Sequence, residues 1–158
     1  MNVESSKQKW ESAYSKERKH LPWLENPIPE KIIEQFCSHF NLGDKVLDYG
    51  CGDGILSELL VRKGFKVTCS DISQKALDMV LEKIPGVETI QASEPLEIGS
   101  TPAFEGVIVW GVMHHIDKKL WGNYLDGFAN LIKENGRILI GGHSMKDEDF
   151  AKGFRVSP

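Results

Sequence analysis

The sequence predicts an α/β protein in which one parallel sheet is covered by helices on both faces. Five short apolar runs recur along the chain without strict alternation of apolar and polar residues, which is typical of strands buried on both sides. Segments with helical periodicity separate them, which indicates strand–helix–strand units and parallel pairing. The five runs are KVLDY, FKVTCS, VETIQ, FEGVIVW and GRILIGG.

The composition is that of one ordinary globular domain. The chain has 158 residues, 41% hydrophobic and 27% charged, with a formal net charge of −4. A second core would have too little chain to form it. Because nucleic-acid affinity depends on clustered Lys and Arg, we expect no nucleic-acid partner, and we interpret the basic segment 7–20 as a solvated helix face.

Residues 1–28 are predicted to form a helical arm, and residues 29–158 to form the main domain. Trp10, Ala13 and Tyr14 have helical spacing and precede the breaker stretch HLPWLENPIP. A second helix is expected to begin at Pro29 and to stop near residues 41–43. Its apolar stripe consists of Ile32, Ile33, Phe36 and Phe40.

Turn and cap residues mark the remaining helices, ILSELLVRKG, SQKALDMVLEKI and a last helix over residues 117–133. Gly64 is expected to end the first and Ser73 to cap the second. The pairs Pro85-Gly86 and Asn135-Gly136 are expected to turn the chain into the next strand.

The segment VLDYGCGDG, residues 46–54, lies between the first strand and the first crossover helix. Gly50, Gly52 and Gly54 let the backbone turn sharply and approach a ligand closely, with the amides of the following helix facing it. Three glycines exceed what turning requires, so a small polar ligand is favoured over a tight turn without one.

Spacing and charge discriminate between ligands. The dinucleotide fingerprint requires a third glycine at position 55, where the chain has Ile55. The carboxylates of Asp48 and Asp53 would repel a pyrophosphate and attract an amine or sulfonium cation. A ligand with a cationic centre is therefore predicted.

Asp71 stands at the end of the second strand, in CSDIS. An acid there is placed to accept hydrogen bonds from two ribose hydroxyls, and Ile72 can cover one face of an adenine. The alternative is that Asp71 caps the helix that begins near Ser73.

Together these motifs resemble class I S-adenosylmethionine-dependent methyltransferases over residues 29–142, in the small-molecule, type 11/12-like branch. The matching segments are LDYGCGDG, the acid after the second strand, FEGVIVWGVMHHI and LIKENGRILIGG. The resemblance implies a Rossmann-like sheet of order 3-2-1-4-5. It also implies that Asp71 holds the cofactor ribose, and that the amino-acid end lies among Asp48, Gly50, Cys51, Gly52 and Gly54.

Two positions depart from the family pattern. An acid that bonds the adenine amine is often found after the third strand, whereas this chain has Ser93, so Ser93 or the backbone of Ala92 is predicted to take that role. Trp110 replaces a smaller residue at the tip of the fourth strand and either walls the cofactor pocket or fills core space. Met113 completes the predicted cofactor-binding set.

The residues after the fourth strand suggest the acceptor chemistry. The segment VMHHI resembles the corresponding segment of enzymes that methylate oxygen, nitrogen or carbon of small metabolites. Enzymes that methylate nucleobases or protein amides commonly have an acid or Asn, two prolines and an aromatic residue here, and this motif is absent. His114 and His115 are the predicted catalytic residues, His114 as the base and His115 in a more structural role, with His143 as a third candidate. Each could instead be a packed or capping histidine.

The resemblance also gives expectations for both ends of the chain. The arm is expected to act as a lid through Trp10, Tyr14 and Trp23, with ordinary helix packing as the alternative. The family's further helix and antiparallel hairpin are expected to be missing after the fifth strand. Its open apolar edge, residues 138–140, would then be a site of homodimerisation, unless the sequence is a fragment.

Three function classes follow. The first is a methyltransferase that uses S-adenosyl-L-methionine, yields S-adenosyl-L-homocysteine and methylates a small molecule. The second is a binding module for these compounds without transfer activity, and the third is a nicotinamide oxidoreductase, against which Ile55 argues. Cys37, Cys51 and Cys69 form no CxxC pair, and no apolar run suggests export or a membrane, so a cytoplasmic protein without a metal is expected.

Overall fold

Five parallel strands form one sheet of order β3-β2-β1-β4-β5 in the computed structural model, which describes residues 3–15 and 28–142. All four strand pairs are parallel. The predicted class and strand order are confirmed. The strands are β1 (Lys45–Tyr49), β2 (Lys66–Asp71), β3 (Glu88–Gln91), β4 (Phe104–Trp110) and β5 (Ile132–Gly141).

Five α-helices and three short 3-10 turns surround the sheet in the described residues. The helices are α1 (Val3–Tyr14), α2 (Glu30–Cys37), α3 (Ile55–Arg62), α4 (Gln74–Lys83) and α5 (Trp121–Leu131). The 3-10 turns are Pro95–Glu97, Met113–His115 and Lys118–Leu120. No helix among the described residues is long and apolar enough to cross a membrane.

Side chains of successive strand residues point to opposite faces, and each face has its own core. On one face, Val46, Val67 and Ile108 pack against residues of α2, α3 and α4. On the other face, Leu47, Val107 and Val109 pack against residues of α5. Helices therefore cover both faces, as the near-continuous apolar strands predict.

The predicted caps of the crossover helices are confirmed. Gly64 follows α3 with a φ of 92°, in the left-handed region that glycine tolerates best. The Ser73 hydroxyl accepts a hydrogen bond of 3.3 Å from the Ala76 amide at the start of α4. Gly86 turns the chain toward β3 with a φ of 82°.

Two helix boundaries differ from the predictions. The helix α2 ends at Cys37, because the amides of His39 and Phe40 bond carbonyls three residues back and the chain leaves the α-helical pattern. The last helix spans Trp121–Leu131 and not residues 117–133. It ends where the Leu131 carbonyl accepts from the Ala103 amide, 2.8 Å away, and the chain starts to pair with β4.

The strand β5 is the edge of the described sheet. The pair Asn135-Gly136 was predicted to turn the chain into this strand, but β5 already begins at Ile132 and the pair lies inside it. The left-handed backbone of Asn135, with a φ of 64°, accompanies a shift in the register of pairing with β4 at this point. Further along, Ile140 is 42% exposed. The predicted missing hairpin would follow residue 142 and lies outside the described residues.

Gly106 provides a test of the packing between α2 and the sheet. A Cβ at this position would lie 2.9 Å from Phe36 Cζ and 3.1 Å from Phe40 Cζ. Gly106→Ala is expected to lower the free energy of unfolding by about 1–3 kcal/mol, because two aromatic rings must shift. Urea unfolding measures the change.

Gly122→Ala is the matched control, because nothing lies within 4 Å of a Cβ at this position in α5. Alanine favours helix over glycine, so the control is expected to lose no stability. Equal stability of the two variants would contradict the packing assigned to Phe36 and Phe40.

Candidate functional site

The glycine loop follows β1 at the carboxyl edge of the sheet, where open α/β folds bind ligands. Gly50, Gly52 and Gly54 have φ values of 74°, 55° and 78°. The amides of Gly50 and Cys51 donate to the Ser70 carbonyl at 2.7 and 3.0 Å, which holds the loop against β2. All three glycines adopt left-handed backbone, so turning alone explains each of them, and their number is weaker evidence of a ligand than the sequence suggested.

Neighbouring side chains also pack closely against this loop. A Cβ on Gly50 would lie 2.2 Å from Val112 Cγ2, and a Cβ on Gly54 would lie 2.9 Å from Val80 Cγ2. The Cys51 thiol is buried in the core, where its hydrogen bond with Cys69 and its burial raise its pKa well above 9.0. The loop therefore has a tightly defined path.

Asp48 is the first of two buried acids beside this loop. Its side chain accepts a 2.6 Å hydrogen bond from the Ser57 hydroxyl of α3, which in turn accepts from the Cys69 thiol at 3.1 Å. Burial raises the pKa of Asp48 from 3.8 to about 6, the Ser57 hydrogen bond opposes this, and the charge of Asp71 adds to it. A nearby cation would favour the charged form of this group.

Asp71 is the second buried acid, and it joins β2 to the glycine loop. Its Oδ2 accepts from the Gly52 amide at 3.0 Å, and its Oδ1 accepts from the Ser73 amide at 2.9 Å. Asp71 thus supports the start of α4, as the alternative interpretation expected, and it also contacts the loop, while its contact with a ribose stays a prediction. Burial raises its pKa from 3.8 to about 6 against these backbone hydrogen bonds. We call the region bounded by residues 48–54 and Asp71 the loop site.

Asp53 differs from the other two acids because it has a counter-ion. Lys83 Nζ lies 3.4 Å from Asp53 Oδ2 and donates to the Asp53 carbonyl at 2.6 Å, and both side chains are largely buried. The charge argument made from the sequence therefore rests on Asp48, with Asp71 beside it, and not on Asp53.

The segment after β3 forms the side of the site where adenine was predicted. The Ser93 carbonyl accepts from the hydroxyls of Tyr49 and Tyr124 at 2.9 and 2.8 Å, and its amide donates to Glu97 at 2.5 Å. The Ala92 amide donates to the Asp71 carbonyl at 3.1 Å. These backbone groups are engaged within the protein, which leaves the Ser93 side chain as the predicted partner.

Ile72, Trp110 and Met113, the other predicted cofactor contacts, have different surroundings. Ile72 is half-buried directly after Asp71. Met113 is buried in the core on the α5 side. The Trp110 ring stands over β5, since a Cβ on Gly141 would lie 2.0 Å from its Cζ3 atom. Contact of these three residues with a ligand stays a prediction.

The two predicted catalytic histidines have unequal environments. His114 is exposed, whereas His115 is half-buried with its ring 4.9 Å from that of Trp10. Burial, together with the charges of His114 and Lys9, lowers the pKa of His115 to about 3. The neutral, packed ring of His115 fits the structural role predicted for it. The side chain of His114 is exposed to solvent instead. His143 and Trp23 lie outside the described residues.

The helix α1 lies at the same edge of the sheet. Trp10 contacts His115, and Tyr14 lies 6.3 Å from Trp10 between ring centroids. Burial raises the pKa of Tyr14 well above 10.0, and the charges of Asp71, Cys51, Asp53 and Asp48 raise it further. Tyr14 therefore lies near the loop site.

Sequence reasoning missed several residues that support this site. Ser57 has a weak signal, as a polar residue on the apolar side of α3. The others are Lys83, the pair Tyr49 and Tyr124, and Glu11, which accepts a hydrogen bond of 2.7 Å from Gln74. Their partners lie 30 or more residues away, so no local pattern reveals them.

A parallel sheet of this order, with a glycine loop after β1 and an acid at the tip of β2, defines an open α/β domain whose candidate ligand site lies at the carboxyl edge of the strands. The family model described as "Methyltransferase domain" matches residues 18–148. The chain belongs to this family, which confirms the resemblance carried by the motifs.

Individual relatives agree with this family. The chain is 30% identical over 105 residues to the ubiquinone biosynthesis O-methyltransferase of Xylella fastidiosa (strain 9a5c), a match that covers 62% of this chain and 41% of that protein. The chain thus spans less than half of that relative's length.

Solved structures share the fold. The 1,6-didemethyltoxoflavin-N1-methyltransferase of Burkholderia thailandensis, crystallised with 1,6-didemethyltoxoflavin and S-adenosylhomocysteine, has a TM-score of 0.72 at 20% identity. That match covers 87% of this chain and 61% of the other. The magnesium protoporphyrin IX methyltransferase of Synechocystis PCC 6803 with bound SAM has a TM-score of 0.58 at 24% identity, covering 66% and 52%.

Asp48→Asn tests the electrostatic cost of the loop site. The amide keeps an oxygen that accepts from Ser57 but removes a buried charge whose pKa is raised from 3.8 to about 6. Above pH 6 the variant is expected to be more stable than the parent by up to about 3 kcal/mol. As the pH falls below 6, Asp48 of the folded parent becomes protonated and the cost of its buried charge disappears. The stability difference between variant and parent is therefore expected to shrink between pH 6 and about pH 3.8. Urea unfolding across this range measures it.

Asp126→Asn is the control, because Asp126 is exposed on α5. Its stability difference from the parent is expected to stay small and to change little with pH. An advantage of Asp48→Asn that is equally large at pH 4 and pH 8 would refute the assigned cause.

Proposed function

We propose that this chain binds S-adenosyl-L-methionine at the loop site and transfers its methyl group to an oxygen, nitrogen or carbon atom of a small molecule. The observation that carries the proposal is the pair of buried acids at the tips of β1 and β2, of which Asp71 also holds the glycine loop through the Gly52 amide.

The donor groups of the site fit this cofactor. Asp71 accepts backbone hydrogen bonds from Gly52, Ser73 and Ile72, and a carboxylate has about four acceptor sites, so it can still accept from a ribose hydroxyl. Asp48 and Asp71 are buried without an ion-pair partner among the described residues, and the amino acid end of the cofactor carries a compensating ammonium. When bound, the cofactor supplies a methyl group on a sulfonium centre, which the acceptor displaces.

The protein's own contribution would then be alignment, exclusion of water and a base. His114 is the candidate base for a protic acceptor, since its imidazole is exposed in the turn after β4, while Trp10 packs against His115. The relatives support a small-molecule acceptor, because they include ubiquinone biosynthesis O-methyltransferases and a 1,6-didemethyltoxoflavin-N1-methyltransferase.

We further propose that residues 1–28 form a lid over this site, with residues 29–158 as the binding domain. The position of Trp10 beside His115 and of Tyr14 near the acids supports a lid. A cytoplasmic location is also proposed, in keeping with the three unpaired cysteines. Cell fractionation with an antibody to the chain tests the location.

Asp71→Ala tests the cofactor site. The substitution removes the predicted ribose contacts and the partner of the Gly52 amide, so affinity for S-adenosylmethionine is expected to fall about 30-fold or more in calorimetric titration. Asp126→Ala, on the exposed face of α5, is expected to bind like the parent. Equal affinity of parent and Asp71→Ala would refute the site.

The same titration separates the competing functions. Heat from NADH and none from S-adenosylmethionine would favour the nicotinamide oxidoreductase. Release of S-adenosylhomocysteine in the presence of a panel of phenols, amines and activated carbon acids is expected of the methyltransferase. Binding without release on any of them would favour a module that only binds.

Within residues 3–15 and 28–142, β5 pairs with a strand on one side only, and we propose that the chain self-associates through its other side. Ile140 is 42% exposed there, and an unpaired strand edge is a template for a second chain. We expect a dimer in sedimentation velocity at micromolar concentration, and Ile140→Lys is expected to shift it toward monomer. Leu125→Lys, at another exposed leucine, is the control. A monomeric parent would contradict the proposal.

A further inference from the structure

We infer that Glu11 is a positioning residue that latches α1 over the loop site by binding the first amides of α4. The inference deepens the proposed function, because the latch acts on the ligand that the site is proposed to hold. Glu11 Oε1 accepts from the Gln74 amide at 2.7 Å, and Oε2 accepts from the Lys75 amide at 3.4 Å.

These two amides have no partner within their own helix. The first amides of any α-helix lack intrahelical acceptors, and in α4 the Ser73 hydroxyl serves only Ala76. A carboxylate at this end of a helix is also favoured by the helix dipole. Glu11 therefore supplies the acceptor that the first amides of α4 lack, although it lies 63 residues away from Gln74 in the chain.

A second contact fixes the same end of α1. The Lys75 ammonium donates to the Ser15 hydroxyl, one turn after Glu11. At the middle of α1, Trp10 packs edge-on against His115. The helix is thus held on two sides, against α4 through Glu11 and against the turn after β4 through the neighbouring Trp10.

The latch places charge and bulk beside Asp71, which lies three residues before Gln74. Glu11 and Asp71 accept hydrogen bonds from consecutive amides, those of Gln74 and Ser73, so the two carboxylates lie close together. The charge of Glu11 adds to the raised pKa of Asp71. Tyr14 lies one turn after Glu11, so the Glu11 contact fixes the part of α1 that carries it. We therefore expect a ligand bound at Asp71 to leave more slowly while Glu11 holds α1 on α4.

The test compares Glu11→Ala and Glu11→Gln with Glu4→Ala in the full chain. Glu4 lies on the same helix and bonds only Gln8 in the described residues, so its replacement removes the same charge without touching α4. Without ligand, amide hydrogen exchange at residues 74 and 75 is expected to be about fivefold to tenfold faster in Glu11→Ala, matching the loss of a helix cap. Glu11→Gln keeps an acceptor oxygen and is expected to lie between the parent and Glu11→Ala.

The second measurement is the release of S-adenosylmethionine, chased with excess S-adenosylhomocysteine in stopped flow. Glu11→Ala is expected to release it about fivefold to tenfold faster than the parent, and Glu4→Ala at the parent rate. Unchanged exchange in Glu11→Ala, or faster exchange with unchanged release, overturns the latch. Failure of the parent to bind S-adenosylmethionine refutes the proposed function instead, and the exchange comparison still decides whether Glu11 holds α1.

Discussion

The hydrogen bond from the Gly52 amide to Asp71 is the contact on which the rest of the site depends. It ties the middle of the glycine loop to the tip of the neighbouring strand, and the other oxygen of Asp71 supports the start of α4 through Ser73. One carboxylate thereby sets the relative positions of a loop, a strand and a helix. Because the Gly50 amide also donates to the Ser70 carbonyl of β2, the loop lies against the sheet.

Burying the charged carboxylates of Asp48 and Asp71 lowers the stability of the fold. Because folded domains are only marginally stable, such a cost is typical of a functional site. Burial raises the pKa values of both Asp48 and Asp71 from 3.8 to about 6. Asp53, in the same loop, has Lys83 as its counter-ion, whereas no described residue forms an ion pair with the other two. A cationic ligand would supply the missing charge, which is why these two acids argue for a site more strongly than the glycines do.

The sequence revealed those features whose cause is local. Apolar runs and helical periodicity predicted a parallel sheet between helices, whereas the strand order came from the family resemblance. The position of Asp71 follows directly from its place at the end of a strand. Contacts between distant segments could not be predicted, because they correspond to no local sequence pattern. Examples are the contact of Lys83 with Asp53 and that of Glu11 with the first amides of α4. The glycine loop was located correctly but over-interpreted, because left-handed backbone at all three glycines is visible only in the structure.

Helix α4 connects these distant contacts into one unit. Its first turn receives Glu11 of the arm, and its last residue, Lys83, holds the carbonyl and carboxylate of Asp53 in the glycine loop. Midway, Val80 lies against Gly54. A helix of 10 residues is about 15 Å long, so α4 joins the arm to the glycine loop over that distance. The arm and the loop are therefore placed relative to each other by contacts with the same helix.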